Sequence, residues 1–329
     1  MTDFNNLNTN EILKEKTKIK DDAQVIGSSF LVMFGMTLLF NVIIVVLKHI
    51  YQNSGNVQAL EILRSPISLQ AMQIVFATVV FTLPFILIYR IANIRISDLM
   101  SFSLPKKGIA LPFFLFGVSF CSFANIAMAF AEAFFEDESV SYSVPRPENP
   151  LGIYGFLLAF TSTVLVPAFV EEFACRGLML GLLKKHGEGF AIMASALLFG
   201  LMHGNFEQIP FAFLVGLVLG FITVKSGTIL IAMAVHGFNN FISIVFEYFL
   251  KDVPKLYQNV GYMIFLVFCL LLGIFALFML NGKDEGIYTL KPSKMKSGDG
   301  KKLLWFFTAV TILIYVAICV AESFQYFEF

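Results

Sequence analysis

Six polar residues stand inside segments that otherwise read as lipid-spanning helix: Glu171, Glu172, Arg176, His203, His236 and Asn240. An ionised side chain at the centre of a bilayer is costly, about 2.5–3.5 kcal/mol on insertion scales. Such residues persist where they pair, line a wet cavity or do chemistry. Glu172 and Arg176 are four apart, so on an α-helix they share a face and can form an ion pair. Glu171 is turned about 100° from Glu172 and cannot easily use the same arginine. One carboxylate therefore reads as held, the other as free to face something else. His236 and Asn240 are also four apart, as are Phe199 and His203. Each pair shares one face, with Phe199 packed beneath His203 and with His236 and Asn240 projecting into a common cavity.

A carboxylate beside an imidazole can hold a water and take its proton, and poor solvation makes that carboxylate a stronger base. An imidazole N–H and an amide N–H on one face can donate to a developing oxyanion. A base, a water holder and two oxyanion donors suffice for peptide hydrolysis without a covalent intermediate and without a bound cofactor. A metal is the competing reading. Glu171, His203 and His236 offer two nitrogens and a carboxylate, a set that catalytic zinc uses, but the chain has no H-E-x-x-H or other tight ligand pair. Cys175, next to Arg176, lies in an apolar setting that disfavours a reactive thiolate. Cys121, Cys269 and Cys319 also fall in apolar spans and read as small buried hydrophobes.

The elements that must position these residues follow from composition. Of 329 residues, 57% are hydrophobic and only 14% charged, against about 45–50% and about 25% in soluble domains. Stretches such as Val25–Leu47 and Tyr257–Leu280 carry no formal charge over more than the roughly 20 residues needed to cross hydrocarbon. The expected fold is all-α: a polytopic transmembrane helical bundle of nine spans, at 25–47, 71–89, 109–134, 151–183, 189–203, 209–224, 229–250, 257–280 and 303–323, or eight if one short span is re-entrant. Pro167 should break or tilt the long fourth span. Residues 1–24 are polar and of mixed charge, and read as a disordered cytosolic tail. Residues 25–329 read as one membrane domain, with a catalytic core at 151–250 and flanking helices at 25–134 and 257–323.

Loop charge sets the orientation. With the N-terminus cytosolic, 17 Lys and Arg residues fall in inside segments and 5 in outside segments. That bias predicts an odd number of crossings and an outside C-terminus. Trp305, just after Lys301 and Lys302, reads as an interfacial anchor. Rising about 1.5 Å per residue, Glu171, His203, His236 and Asn240 converge at a middle-to-cytosolic depth. His186 and His49 read as solvated, Glu247 as interfacial, and Glu136, Asp137 and Glu138 as an acidic outside loop. The lysines from Lys283 to Lys302 read as a cytosolic loop that meets anionic lipid. Net charge is zero, which argues against a nucleic-acid partner. The lipid bilayer is the one partner that composition requires.

Three motifs in order resemble one family. They are Glu171-Glu172-Phe-Ala-Cys-Arg176, Phe199-Gly-Leu-Met-His203 and His236-Gly-Phe-Asn-Asn240. Together, within residues 151–250, they resemble the CAAX-protease and bacteriocin-processing intramembrane endopeptidases, related to the Ras-converting CAAX prenyl endopeptidase. The resemblance implies that Glu171 activates water and that His203 helps to hold it. It further implies that His236 and Asn240 form the oxyanion hole, supported by Glu172, Arg176 and Phe199, with a peptide or protein substrate at or in the membrane. Such a chain would serve CAAX-type processing, secreted-peptide maturation or bacteriocin immunity. The short polar loops suggest a bacterial cell membrane. Two other readings use the same residues: a non-catalytic immunity or scaffold member of the family, and a secondary transporter with an intramembrane ion pathway. The polar cluster is not repeated in a second half of the chain, as inverted-repeat transporters often require.

Overall fold

A computed structural model describes residues 2–135, 141–142, 144, 149–281 and 286–328. The acidic loop residues Glu136, Asp137 and Glu138 lie outside the described residues. Thirteen α-helices are described: α1 (Thr2–Asn53), α2 (Val57–Arg64), α3 (Pro66–Ile91), α4 (Ala110–Phe135), α5 (Gly152–Ala159), α6 (Val166–Glu172), α7 (Leu180–Leu183), α8 (Glu188–Leu201), α9 (Ile209–Ser226), α10 (Leu230–Phe249), α11 (Lys255–Leu280), α12 (Asp299–Phe307) and α13 (Val310–Phe324). Two π-helical turns, Phe160–Leu165 and Phe173–Met179, join α5, α6 and α7 into one long rod. Two short strands, β1 (Ser141–Tyr142) and β2 (Phe327–Glu328), pair antiparallel.

Each of the nine expected spans falls on helix, and the architecture is a polytopic helical bundle. Among the described residues, seven helical stretches are long and apolar enough to cross a membrane. The bent pair α12–α13, with 76° between its halves, makes an eighth if read as one span. The remaining segment, α8, has 14 residues, about 21 Å of rise against about 30 Å of hydrocarbon. Its apolar length is spent inside the protein, where Phe190, Ala194, Leu198 and Phe199 are buried. The long outer helices do the reverse. Leu39, Val42 and Val45 of α1, and Ile264, Phe268, Leu271 and Phe278 of α11, are exposed, as a bilayer requires. Small residues allow close packing between helices. A Cβ on Gly216 of α9 would lie 3.0 Å from the Ala196 Cα of α8.

Contacts between loops sort the chain ends onto two faces. On one face, Lys185 reaches Asp22 of α1 at 3.0 Å, and Lys302 donates to the His186 carbonyl at 2.9 Å. Ile229 N–H donates to the Ser101 carbonyl at 3.1 Å, and Lys225 donates to the Thr289 carbonyl. The segments that loop charge assigns to the cytosol therefore meet one another. On the opposite face Tyr248 donates to the Pro150 carbonyl at 2.9 Å, and β2 pairs with β1. The C-terminal strand thus shares a face with the loop after α4 and lies opposite the basic face, the parity that the loop charges predict.

Two expectations about polar residues need correction. Residues 2–24 are not a disordered tail but the first half of α1. Ile19 and Ala23 are fully buried, and the Glu15 carboxylate accepts the backbone N–H groups of Lys296 and Ser297 at 2.7 and 3.1 Å. Those partners lie more than 280 positions away, so local composition could not reveal them. His186 is buried rather than solvated, with its Nε2 2.5 Å from Asp22 Oδ2. Glu247 is exposed near the end of α10, as expected of an interfacial residue, and is also tethered. It accepts from Asn149 Nδ2 at 2.5 Å and lines a cavity of about 510 Å³ with Tyr248 and Lys251.

Candidate active site

The glutamate pair sits at the end of α6, between the two π-helical turns. A π turn widens the helix by one residue and is frequent at functional sites. Here Pro167 contributes to the local geometry. In α-helical register the Thr163 carbonyl would accept from residue 167, which has no N–H. That carbonyl instead accepts Asn240 Nδ2 from α10 at 3.0 Å. The proline thus ties α10 to the glutamate-bearing rod, where the sequence suggested only a break or tilt.

The two glutamates occupy different environments. Glu172 is fully buried. Its Oε1 accepts Arg176 Nη1 at 3.0 Å and His236 Nδ1 at 2.9 Å. The Glu171 side chain keeps 15% exposure, and its Oε2 lies 3.9 Å from His236 Nε2, beyond hydrogen-bond length. Among the described residues, Glu171 Oε2, Glu172 Oε2, Arg176 Nε and Arg176 Nη2 are buried without a hydrogen-bond partner. One imidazole therefore faces both carboxylates, firmly joined to the sealed one and poised beside the accessible one.

Phe199 is the apolar hub. Its ring meets His203 edge-to-face at 5.2 Å and His236 at 6.0 Å, and the Arg176 guanidinium lies over it at 4.0 Å. A guanidinium held over an aromatic face gains cation–π attraction while remaining out of water. His203 Nδ1 lies 2.8 Å from the Phe199 carbonyl. A carbonyl only accepts, so Nδ1 carries the proton, and in the neutral imidazole Nε2 then presents a lone pair. The loop after His203 is fixed as well. Asn205 Nδ2 donates to the His203 carbonyl at 2.9 Å, and Phe206 N–H donates to the Tyr142 hydroxyl at 2.7 Å.

All six sequence-predicted polar residues thus lie on the elements that Phe199, Glu172 and the Thr163 carbonyl link together. Glu172, Arg176 and His236 bond directly, and Glu171 faces His236. His203 reaches the others through the Phe199 ring, and Asn240 through the α6–α10 tie. Among the described residues no three His, Cys, Asp or Glu side chains are grouped so as to hold a metal ion, and Glu171, His203 and His236 form no such group. Cys175 is buried, and its thiol donates a weak hydrogen bond to the Met202 sulfur at 3.8 Å. Sequence reading missed Thr163 and Asn239, which bond Asn240, and Asn125, which reaches Asn239. The signals were present in the placement of Pro167 four residues after Thr163 and in the Asn239–Asn240 doublet within an apolar helix.

Two openings approach the cluster. An apolar groove of about 620 Å³ runs between α4, α6 and α10, past Val164, Ala168, Gly237 and Phe241. Ala168 stands four residues before Glu172, and Gly237 follows His236. A smaller cavity of about 160 Å³ enters from the basic face past Asp98, Ser101, Lys184 and Thr228 to Arg176.

Comparison with known proteins picks out the same stretch of chain. Residues 153–242 match the family model described as type II CAAX prenyl endopeptidase Rce1-like. The match runs from α5 to just beyond Asn240 and includes all six polar residues. No curated protein and no solved structure matches the chain. The stretch of this multi-pass membrane protein that carries all six polar residues is thus similar to the type II CAAX prenyl endopeptidases of the Rce1-like family.

Proposed function

We propose that the chain is an intramembrane endopeptidase that hydrolyses a peptide bond by glutamate-activated water, without a metal. Glu171 takes a proton from water, whose oxygen attacks the scissile carbonyl carbon. The lone pair on His203 Nε2 accepts the second water hydrogen and holds the water in place. The carbonyl oxygen becomes an oxyanion, met by His236 Nε2–H and by an Asn240 amide N–H. The intermediate then collapses, the C–N bond breaks, and protonated Glu171 returns its proton to the leaving amine.

The unequal treatment of two adjacent carboxylates carries this reading. Glu172 is spent on Arg176 and His236, whereas Glu171 keeps exposure and, among the described residues, has no direct bond. Because His236 Nδ1–H is committed to Glu172, donation to an oxyanion requires a proton on Nε2 too. In that imidazolium form, Glu171, Glu172, Arg176 and His236 sum to zero charge, which suits a site at membrane depth. The apolar groove beside α6 and α10 supports a substrate that arrives from the bilayer, and the short polar loops suggest a bacterial cell membrane.

The experiment is cleavage by purified protein in lipid vesicles, read by mass spectrometry. The probes are a farnesylated peptide ending in a CAAX sequence, its unmodified form and a set of leader peptides. Wild type should cleave at least one of them, and Glu171→Ala none. Cleavage by Glu171→Ala at the wild-type rate, or no cleavage by wild type, would overturn the peptidase reading. Loss of activity on chelation with recovery on adding zinc would overturn the metal-free part alone.

A further inference from the structure

Asn240 stands at one end of a line of amides whose other members have been given no role. On α4, Asn125 Nδ2 donates to the Cys121 carbonyl at 2.9 Å and lies 3.5 Å from Asn239 Oδ1. Asn239 Nδ2 donates in turn to Asn240 Oδ1 at 3.3 Å. Asn240 Nδ2 then donates to the Thr163 carbonyl at 3.0 Å.

Both ends of this line are backbone carbonyls, which can only accept. That fixes its direction. Asn125 and Asn240 must each point NH2 at their carbonyl. Asn239, lying between them, must turn its oxygen to Asn125 and its NH2 to Asn240. A flipped Asn239 would set oxygen against oxygen at the Asn240 contact. The Thr163 bond uses one N–H of Asn240 and leaves the second free. Asn240 lies one turn from His236 on the same helix face.

We infer that Asn239, backed by Asn125, is a positioning residue. It holds the Asn240 amide so that its free N–H stays aimed as an oxyanion donor. This rests on the peptidase reading above and adds a residue to which the resemblance assigns no role. Such a group acts in the transition state, so its loss lowers kcat more than it changes KM. The bond from Asn239 to Asn240 is the shorter of the two side-chain contacts and carries the larger effect.

The test is a double-mutant cycle on whichever probe peptide the wild type cleaves. Asn239→Leu, which matches the shape of asparagine without its hydrogen bonds, should lower kcat by about 10-fold with KM within about 2-fold. Asn240→Ala should lower kcat by about 10²–10³-fold. In the Asn240→Ala background, Asn239→Leu should change kcat by less than about 2-fold, because the amide it orients is gone. A full 10-fold loss in that background, or a change in KM alone, would overturn the inference while leaving the peptidase reading intact. If Asn239→Leu fails to fold, Asn239→Ala runs the same cycle. Cleavage by Glu171→Ala would instead sink the underlying reading, so the two failures are distinguishable.

Discussion

At the basic face, Asp22 is answered by Lys185 and His186, and Glu188 by Lys225 and the Lys291 N–H. Lys302 is answered by Asp299 and the His186 carbonyl. Within the bundle, Glu172 is answered twice, by Arg176 and His236, but among the described residues Glu171 has only His236 Nε2 at 3.9 Å. Both regions bury charge. In the first, each of these charges meets an opposite charge or a backbone dipole, so the cluster fastens α1, the α7–α8 turn and α12 together. In the second, one carboxylate is left incompletely answered beside a groove. Removing one member of a buried pair costs about 3–5 kcal/mol. A fold therefore keeps an under-paired charge at depth where the charge is used. Perturbed and unsatisfied groups concentrate at functional sites for this reason.

The largest test of this contrast is Glu171→Gln. Cleavage of a probe peptide should fall by about 10³-fold, within the range attributed to general-base loss, while the unfolding temperature stays near that of wild type. If Glu172→Gln gave the same kinetic loss with no loss of folded protein, the division of labour between the two glutamates would collapse. Next in size is Arg176→Met, which leaves the Glu172 carboxylate with His236 alone. Stability should drop by about 3–5 kcal/mol, read as a lower recovery of folded protein and a lower unfolding midpoint in detergent.

On the other side of the comparison, Lys302→Met should cost about 1–3 kcal/mol by leaving the His186 carbonyl and Asp299 without their donor. The folded fraction should turn over substrate as wild type does; a matching fall in kcat would mean that the basic cluster is not merely a fastening. The smallest effect belongs to Tyr142→Phe. Loss of the hydroxyl that accepts the Phe206 N–H should cost about 0.5–1.5 kcal/mol and speed amide exchange at Phe206. Unchanged exchange there would remove β1 from the support of the His203 loop.

Legibility in the sequence varied with the range of the interaction. The Glu172–Arg176 and Phe199–His203 pairs were readable because both partners lie one turn apart on one helix, and both contacts exist. The second partner of Glu172 was not readable, since His236 lies 64 positions away. Nor was the helical state of residues 2–24, because polar composition normally signals a segment that buries too little to order. Here the segment finds its partners near the far end of the chain. His186 misled for the same reason. Beside two lysines it looks solvated, yet α1 supplies Asp22 to receive it.

By itself the sequence determined the environment, the helical class, the orientation bias and the side-chain pairs that share a helix face. Run length, loop charge and the 3.6-residue turn are local properties, and a bilayer leaves few alternatives to helix. Only the tertiary structure decided which faces meet. It sealed Glu172 between Arg176 and His236, left Glu171 accessible, and turned the Thr163 carbonyl freed by Pro167 into a seat for Asn240. Those choices depend on packing between helices far apart in sequence, where small residues and unpaired backbone groups set how closely and in what register the rods approach.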